Sequence, residues 1–450
     1  MRKKLWKICT AAVASVFLCL TALPVDTLWA ATENEKYLQE ARTIQEEIIS
    51  WKCDVEGEKE LLAGSLLDGA GSAGSDWFAF DISRMGKEDQ QAAYLSRLKD
   101  AVETMYIDKE DSKVRYRVSD FHRIAMTILA CGGDPENFGT DPDGNPINLI
   151  NDTVWNCIWG DMGNQGINGY IWALLTVDSG NFQEPEDAAW TRERIISELL
   201  ARQLADGGFG LIKTDPSDVD LTSMTLTALA PYREEEKSYT VTNIVTEEEV
   251  TLTVAEMGEK AFACLSDLQN EDGSMLTYGE PTSESTSWAM MALASWGRDL
   301  QNDEAFIKNG KTLLDGIKLF CMPDGGVLHG LAEDEAVASN MAAYQAVYGL
   351  EAACRFWEGR QGVFDLTDAK QISDEEIEEA GKDLPELSNQ QDERSSEEVE
   401  EEIGNRMVYL TAGIAGAIVV VVIIFLFLLL KDGKKKKEAG KDDDDFDDEW

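Results

Sequence analysis

Through residues 33–364 the apolar positions recur at helical spacing, and Gly-rich breaks divide the chain into short helical runs. Three of the breaks are alike. Leu200–Leu211, Cys264–Leu276 and Phe320–Gly330 each carry a helix into an Asp-Gly pair followed by an apolar residue. The glycine there supplies the tight or left-handed turn that ends a helix. Cap-like residues then open a further helix near Ser75–Trp77, Ser119–Phe121, Asn168–Tyr170, Thr222–Met224, Ser285–Trp288 and Ser339–Met341. Starts spaced by about fifty residues, six times, predict six helical hairpins in series.

The second helix of each pair is apolar and rich in small residues, as in IWALLTV, TSMTLTALA, SWAMMALASW and MAAYQAVYGL. Helices apolar on nearly all sides belong inside, while the more amphipathic first helices, such as Ala31–Trp51, belong outside them. Ser238–Val254 breaks the rhythm: its alternation of Thr and Val predicts a β-hairpin inserted at about 238–254.

Two further apolar runs lie outside this region. Ile8–Leu23 follows Arg2, Lys3, Lys4 and Lys7 and precedes Ala30 and Ala31, the pattern of a signal peptide over residues 1–30. Met407–Leu430 carries no charge. As a helix of about 24 residues it is roughly 36 Å long, enough to span a bilayer. Lys431 and Lys434–Lys437 follow it and acidic residues precede it, which orients the N-terminal side outward and residues 431–450 toward the cytoplasm. Between the helical region and this span, residues 365–406 are dominated by acid and read as a disordered stalk.

The chain holds 85 acidic against 40 basic residues, a formal net charge of -45. That balance repels nucleic acid and excludes it as a partner. Cys53, Cys131, Cys157, Cys264, Cys321 and Cys354 remain after the leader, widely spaced and without a CxxC pair. They read as buried thiols, although an exported chain could oxidise them.

The Asp-Gly-Gly-Phe turn, the capped inner helices and the six pairs resemble the terpenoid cyclase and protein prenyltransferase superfamily, and in particular its bacterial extracellular squalene-cyclase-like repeat proteins. SDWFAFDISRMG, DVDLTSMTLTALAPY and NMAAYQAVYGLEAACRFWEG are similar to recurrent segments of that group. The resemblance covers most of residues 33–364. It implies an all-α fold, a six-pair α/α toroid with the small β-hairpin inserted, followed by the one transmembrane helix. Fold likeness does not settle activity.

Several residues are candidates for chemistry. Class II cyclases use an Asp-x-Asp-Asp motif whose middle Asp is the acid. Asp218 and Asp220 match its first two acids, and Leu221 stands where the last should be. Clustered carboxylates can keep a proton available, but an acid here would equally cap the helix that follows. His122 beside Asp120 allows a general base facing a cavity, or a surface or capping histidine. The prenyltransferase zinc ligands are missing, so no metal or cofactor is expected. Asp141-Pro-Asp143-Gly-Asn145 has the wrong spacing for a calcium loop and reads as a polar turn. Trp77, Tyr170, Trp172, Trp288 and Tyr344 lie near inner-helix starts, and with Asp120 and Glu284 they could line a pocket for a glycan, a peptide or an apolar small molecule. Packing in the core is the plainer role for such aromatics. The expectation is a membrane-anchored cell-surface binding module without catalysis. The competing one is an enzyme, either an acid-initiated cyclase using Asp220 or a glycan-degrading toroid.

Overall fold

Side-chain caps open the helices that follow Thr191, Asp218, Thr253, Thr282, Thr312, Ser339 and Ser373. The computed structural model describes residues 25–109, 115–331 and 337–385, with side chains from Asn34 onward. Over those residues the protein is mostly helical. In chain order the helices are α1 (Val25–Glu56), α2 (Gly64–Asp68), α3 (Ala73–Arg84), α4 (Gln91–Asp108), α5 (Val118–Cys131), α6 (Ile167–Ser179), α7 (Arg192–Leu200), α8 (Val219–Leu229), α9 (Val254–Asp267), α10 (Ser283–Ser295), α11 (Leu313–Lys318), α12 (Asn340–Glu358) and α13 (Asp374–Gly381). Thr253 with Glu256 and Thr312 with Asp315 form capping boxes that open α9 and α11.

The six expected starts correspond to α3, α5, α6, α8, α10 and α12. Each of these packs against the next, and α12 packs back against α3. In α10 every residue from Ser283 to Leu293 is buried, as an apolar, small-residue helix requires. The more amphipathic helices cover them: α1 lies on α12, α4 on α5, α7 on α6, α9 on α8 and α11 on α10.

The Asp-Gly turns explain part of this arrangement. Gly207, Gly273 and Gly325 hold φ of +93°, +93° and +92°. A Cβ at any of them would overlap a carbonyl oxygen of the neighbouring covering segment, Lys260, Thr312 and Glu47 respectively. Glycine is needed for both reasons, the left-handed backbone and the close approach. The third turn therefore packs on α1, the first helix of the chain. In the first two turns Gln203 and Gln269 donate across the junction, to Met257 O at 2.9 Å and to Phe306 O at 3.0 Å.

The expected hairpin is present. β1 (Ser238–Thr242) pairs antiparallel with β2 (Glu249–Thr253), with Tyr239 opposite Leu252 on the buried face. A second, shorter hairpin was not foreseen. β3 (Met275–Thr277) and β4 (Glu280–Thr282) turn through Tyr278 and Gly279, both at positive φ, the geometry of a two-residue hairpin turn.

The acidic segment from Asp365 corrects the expected boundary. Its first twenty residues are packed, not a free stalk, and the folded unit runs to Leu384. The segment meets the C-terminal ends of α3, α5, α6 and α12. Leu366 N donates to Ser179 O at 2.8 Å and Ile372 N to Gly132 O at 2.8 Å. Arg84 reaches Asp365 O at 2.8 Å and Asp368 at 2.6 Å, and Arg355 reaches Asp368 at 3.0 Å. Leu366 and Ile377 are buried, and α13 packs on α4. Apolar residues spaced among the acids, and the two arginines beneath, outweigh the acidic composition.

No described helix is long and apolar enough to cross a membrane. The span 407–430, the rest of the expected stalk and the tail 431–450 lie outside the described residues. So does the leader, except for Val25–Ala30, which are helical.

Candidate functional site

Four of the aromatic candidates meet. Trp77 of α3 lies 5.4 Å from Trp172 of α6 and 6.3 Å from Tyr344 of α12, ring centre to ring centre, and Trp172 lies 5.9 Å from Trp288 of α10. Three residues outside the initial candidates complete the cluster. Tyr348 is 5.7 Å from Trp77 and 5.3 Å from Trp288. Phe80 is 5.5 Å from Trp77. Phe364 stacks on Trp288 at 6.1 Å with planes 11° apart and closes the cluster from the strap that meets the helix C-termini. Trp77, Trp288, Tyr344, Tyr348 and Phe364 are buried, while Trp172 keeps part of its surface exposed.

Acids from three helices act on the Tyr348 phenol of this cluster. Asp220 is the second residue of α8 and Glu284 the second of α10, the latter four residues or roughly 6 Å of rise before Trp288. Glu284 is almost fully buried. Its carboxylate accepts from Ser283 Oγ at 2.9 Å, and His329 Nδ1, from the loop before α12, lies 2.9 Å from Oε1. The imidazole of His329 is half exposed. Asp81 of α3 is 1 % exposed, and neither of its carboxyl oxygens has a hydrogen-bond partner among the described residues. Burial first, and the Glu351 charge second, hold Asp81 protonated well above the usual carboxylate range. The Tyr348 phenol is where these groups converge. Burial raises it well above the ordinary tyrosine value, and Tyr344, Asp81, Asp220 and Glu284 add to that.

Asp218, Asp120, His122 and Tyr170 have other partners. Asp218 is the N-cap of α8 and accepts from Leu221 N at 3.0 Å. Thr282 and Ser339 do the same for α10 and α12, so the first acid of the cyclase-like motif occupies a repeated capping position. Thr222, which follows that motif, accepts from Phe209 N at 2.9 Å, and Thr286 makes the equivalent bond to Met275 N at 3.0 Å. Asp120 pairs with Arg123 at 3.0 Å and accepts from Arg117 N. His122 is fully buried with Nε2 3.1 Å from Thr153 O, and burial lowers its pKa to about 4. It is a neutral core histidine and not a base paired with Asp120. Tyr170 packs against Trp190 at 5.5 Å and under the Arg202 guanidinium.

Among the described residues no group of three or more His, Cys, Asp or Glu is placed to hold a metal ion. Asp141 accepts from Asp143 N at 3.0 Å and Asn145 N at 2.8 Å, as a polar turn does. The six cysteines among the described residues are free thiols, and burial pushes those of Cys131 and Cys354 up to about 12. A separate cavity of about 190 Å³ lies beside α13, bounded by Glu103, Phe138, Thr140 and Ile377.

Tyr348, Phe364 and Asp81 carry no motif. The only sequence signal for Tyr348 is its place one turn after Tyr344 in α12. No family model matches the chain, and no curated protein matches it.

Proposed function

We propose that the chain is a membrane-anchored cell-surface binding module: an α/α toroid, similar in plan to the terpenoid cyclase and prenyltransferase superfamily, that takes a ligand at its centre without transforming it. The return of α12 onto α3 supports the toroid. The uncharged run 407–430 with Lys431 and Lys434–Lys437 behind it supports the anchor. The observation that carries the binding reading is the meeting of Trp77, Trp172, Trp288 and Tyr344 from four different helices, with Trp172 still partly exposed and with Asp220 and Glu284 both acting on the Tyr348 phenol. Aromatic faces with a few convergent polar groups make a ligand cup. Asp218 in a capping role, and Leu221 in place of a third acid, weigh against cyclase-type proton donation.

The test is a thermal-shift panel of glycans, peptides and apolar or charged small molecules on the purified full chain in detergent. One ligand class should raise the melting temperature, and Trp172→Ala should abolish that shift. Turnover of a glycan or an isoprenoid that Asp220→Asn eliminates would instead favour the enzyme.

A further inference from the structure

We infer that residues 363–384 form a hinged strap that opens as a unit while the six-helix series stays folded, and that Asp368 is the clamp that sets how often it opens. Such opening occurs whether or not the aromatic cluster takes a ligand. Helix α12 ends at Gly359, with φ +65°, and the exposed residues Gly359 to Gly362 separate it from the strap. A Cβ at Gly359 or Gly362 would meet nothing within 4 Å. Two glycines in an exposed, unpacked link absorb a change of chain direction at little steric cost. The strap is also the last part of the folded unit, which ends at Leu384. It can lift without unthreading any other element, and the return of α12 onto α3 closes the series without it.

Burial holds the strap thinly. Its buried residues are Val363, Phe364, Leu366 and Ile377, whereas every residue of α10 from Ser283 to Leu293 is buried. Ordering a residue costs conformational entropy wherever it lies. A segment with few buried apolar groups therefore opens at a lower free energy than the core beneath it. Its backbone meets the helix ends at Leu366 N to Ser179 O and at Ile372 N to Gly132 O, both 2.8 Å.

Charge is concentrated at one point of the strap. Asp368 accepts from Arg84 at 2.6 Å and from Arg355 at 3.0 Å, and both arginines are 2 % exposed. The same guanidinium groups donate to the backbone beside it, at Gly362 O, Gln361 O and Asp365 O, 2.8–3.2 Å away. When the strap lifts, Arg355 keeps Glu351 at 2.9 Å. Arg84 loses the Asp368 carboxylate, and two like charges are left near each other at the helix ends. Opening also withdraws Phe364, which lies 5.5 Å from Phe80 and 6.1 Å from both Trp172 and Trp288, and so uncovers two indoles. The chain runs on from the strap into the acidic residues beyond 384, so a force or partner acting there reaches the aromatic cluster through this hinge.

The experiment is native-state hydrogen exchange, read by mass spectrometry on the purified full chain in detergent at pH 7, across urea concentrations below unfolding. Strap amides should exchange at least about tenfold faster than those of α10, with a shallower dependence on urea, as a sub-global opening requires. Asp368→Asn should speed the strap amides roughly thirtyfold. Ile317→Val, a change at a fully buried position of α11, should speed the α10 amides and leave the strap amides unmoved, because it weakens the helical series and not the strap. Strap amides that follow those of α10 in rate, in urea dependence and in response to Ile317→Val would show that the strap opens only with global unfolding, and would overturn the inference. Strap exchange unchanged by Asp368→Asn would overturn it as well. Should Asp368→Asn fail to fold, the parent and Ile317→Val still decide.

Discussion

Asp218 stands in its repeat where Thr282 stands in the next: each is the N-cap of an apolar helix and accepts a hydrogen bond from the backbone N–H three residues on. The equivalence decides how the cyclase-like acid pair is to be treated. Asp218→Ala should destabilise the protein by about 1 kcal/mol, and Asp218→Thr, which keeps a cap, by much less. Asp220→Asn leaves the cap intact and should cost less than Asp218→Ala. Urea unfolding of the three variants measures this. Equal losses for Asp218→Thr and Asp218→Ala would mean that capping is not what Asp218 supplies.

Asp81 makes the protein less stable as pH rises. In the unfolded chain an aspartate ionises near pH 3.9. In the folded protein burial keeps Asp81 protonated to well above that. Below about pH 3.9 both states hold the proton and nothing is lost. Above it the unfolded chain releases its proton first, and stability falls by about 1.4 kcal/mol per pH unit until the folded group ionises too. Asp81→Asn should therefore be more stable than the parent at pH 7–8, with the gap closing toward pH 4. Melting curves across that range test the sign directly.

Asp368 acts in the opposite direction. Its burial favours the neutral acid, but Arg84 and Arg355 outweigh that and hold its pKa below the ordinary aspartate value. The stability it confers is present above about pH 4 and is lost as pH falls through the lowered pKa. Asp368→Asn should cost about 2 kcal/mol at pH 7, because two nearly buried guanidinium groups lose a charged partner. The difference from the parent should shrink in acid. Guanidinium unfolding at pH 7 and pH 3 provides the comparison.

Gly273 and Gly310 separate two kinds of cost. Both have positive φ, +93° and +74°, but a Cβ at Gly310 would meet nothing within 4 Å, whereas one at Gly273 would overlap the Thr312 carbonyl. Gly310→Ala should show only backbone strain, about 1 kcal/mol. Gly273→Ala should lose about 2–4 kcal/mol, since either α11 or the turn must shift. A similar loss at both sites would show that the close approach at Gly273 relaxes freely.

The parts of the fold that read directly from sequence are those set by local chemistry. Thr282 and Ser339 announce their helices through caps, Asp206-Gly207 and Asp272-Gly273 announce their turns, and alternation from Tyr239 to Thr242 announces a strand. What escaped depends on partners far along the chain. Leu366 and Ile377 sit in an acidic stretch whose composition suggests solvent, and partners on distant helices, Arg84, Arg355, Ser179 and Gly132 among them, make it a packed strap. The candidate site divided the same way. Trp77, Trp172, Trp288 and Tyr344 stand near helix starts and do converge, whereas Tyr170 and Asp120, chosen on the same ground, are held by Arg202 and Arg123. His122 next to Asp120 suggested a pair, but a helix places neighbouring residues on different faces.

The junction between α1 and α12 also fixes an order of events. Arg42 binds Glu351, Gln45 donates to Val347 O at 3.1 Å, and Lys52 reaches Asn340 at 3.0 Å, contacts spanning 288 to 309 positions of sequence. Contacts of such separation form late and slow folding, because the intervening chain must be ordered before they can reward closure. Ala41, Ile44 and Ile48, among the first residues of the domain to be synthesised, cannot be covered by α12 until the last repeat exists. Nearly the whole domain must therefore be made before its first helix is sealed, and through that interval the apolar face of α1 is the natural target for a holding chaperone or a protease.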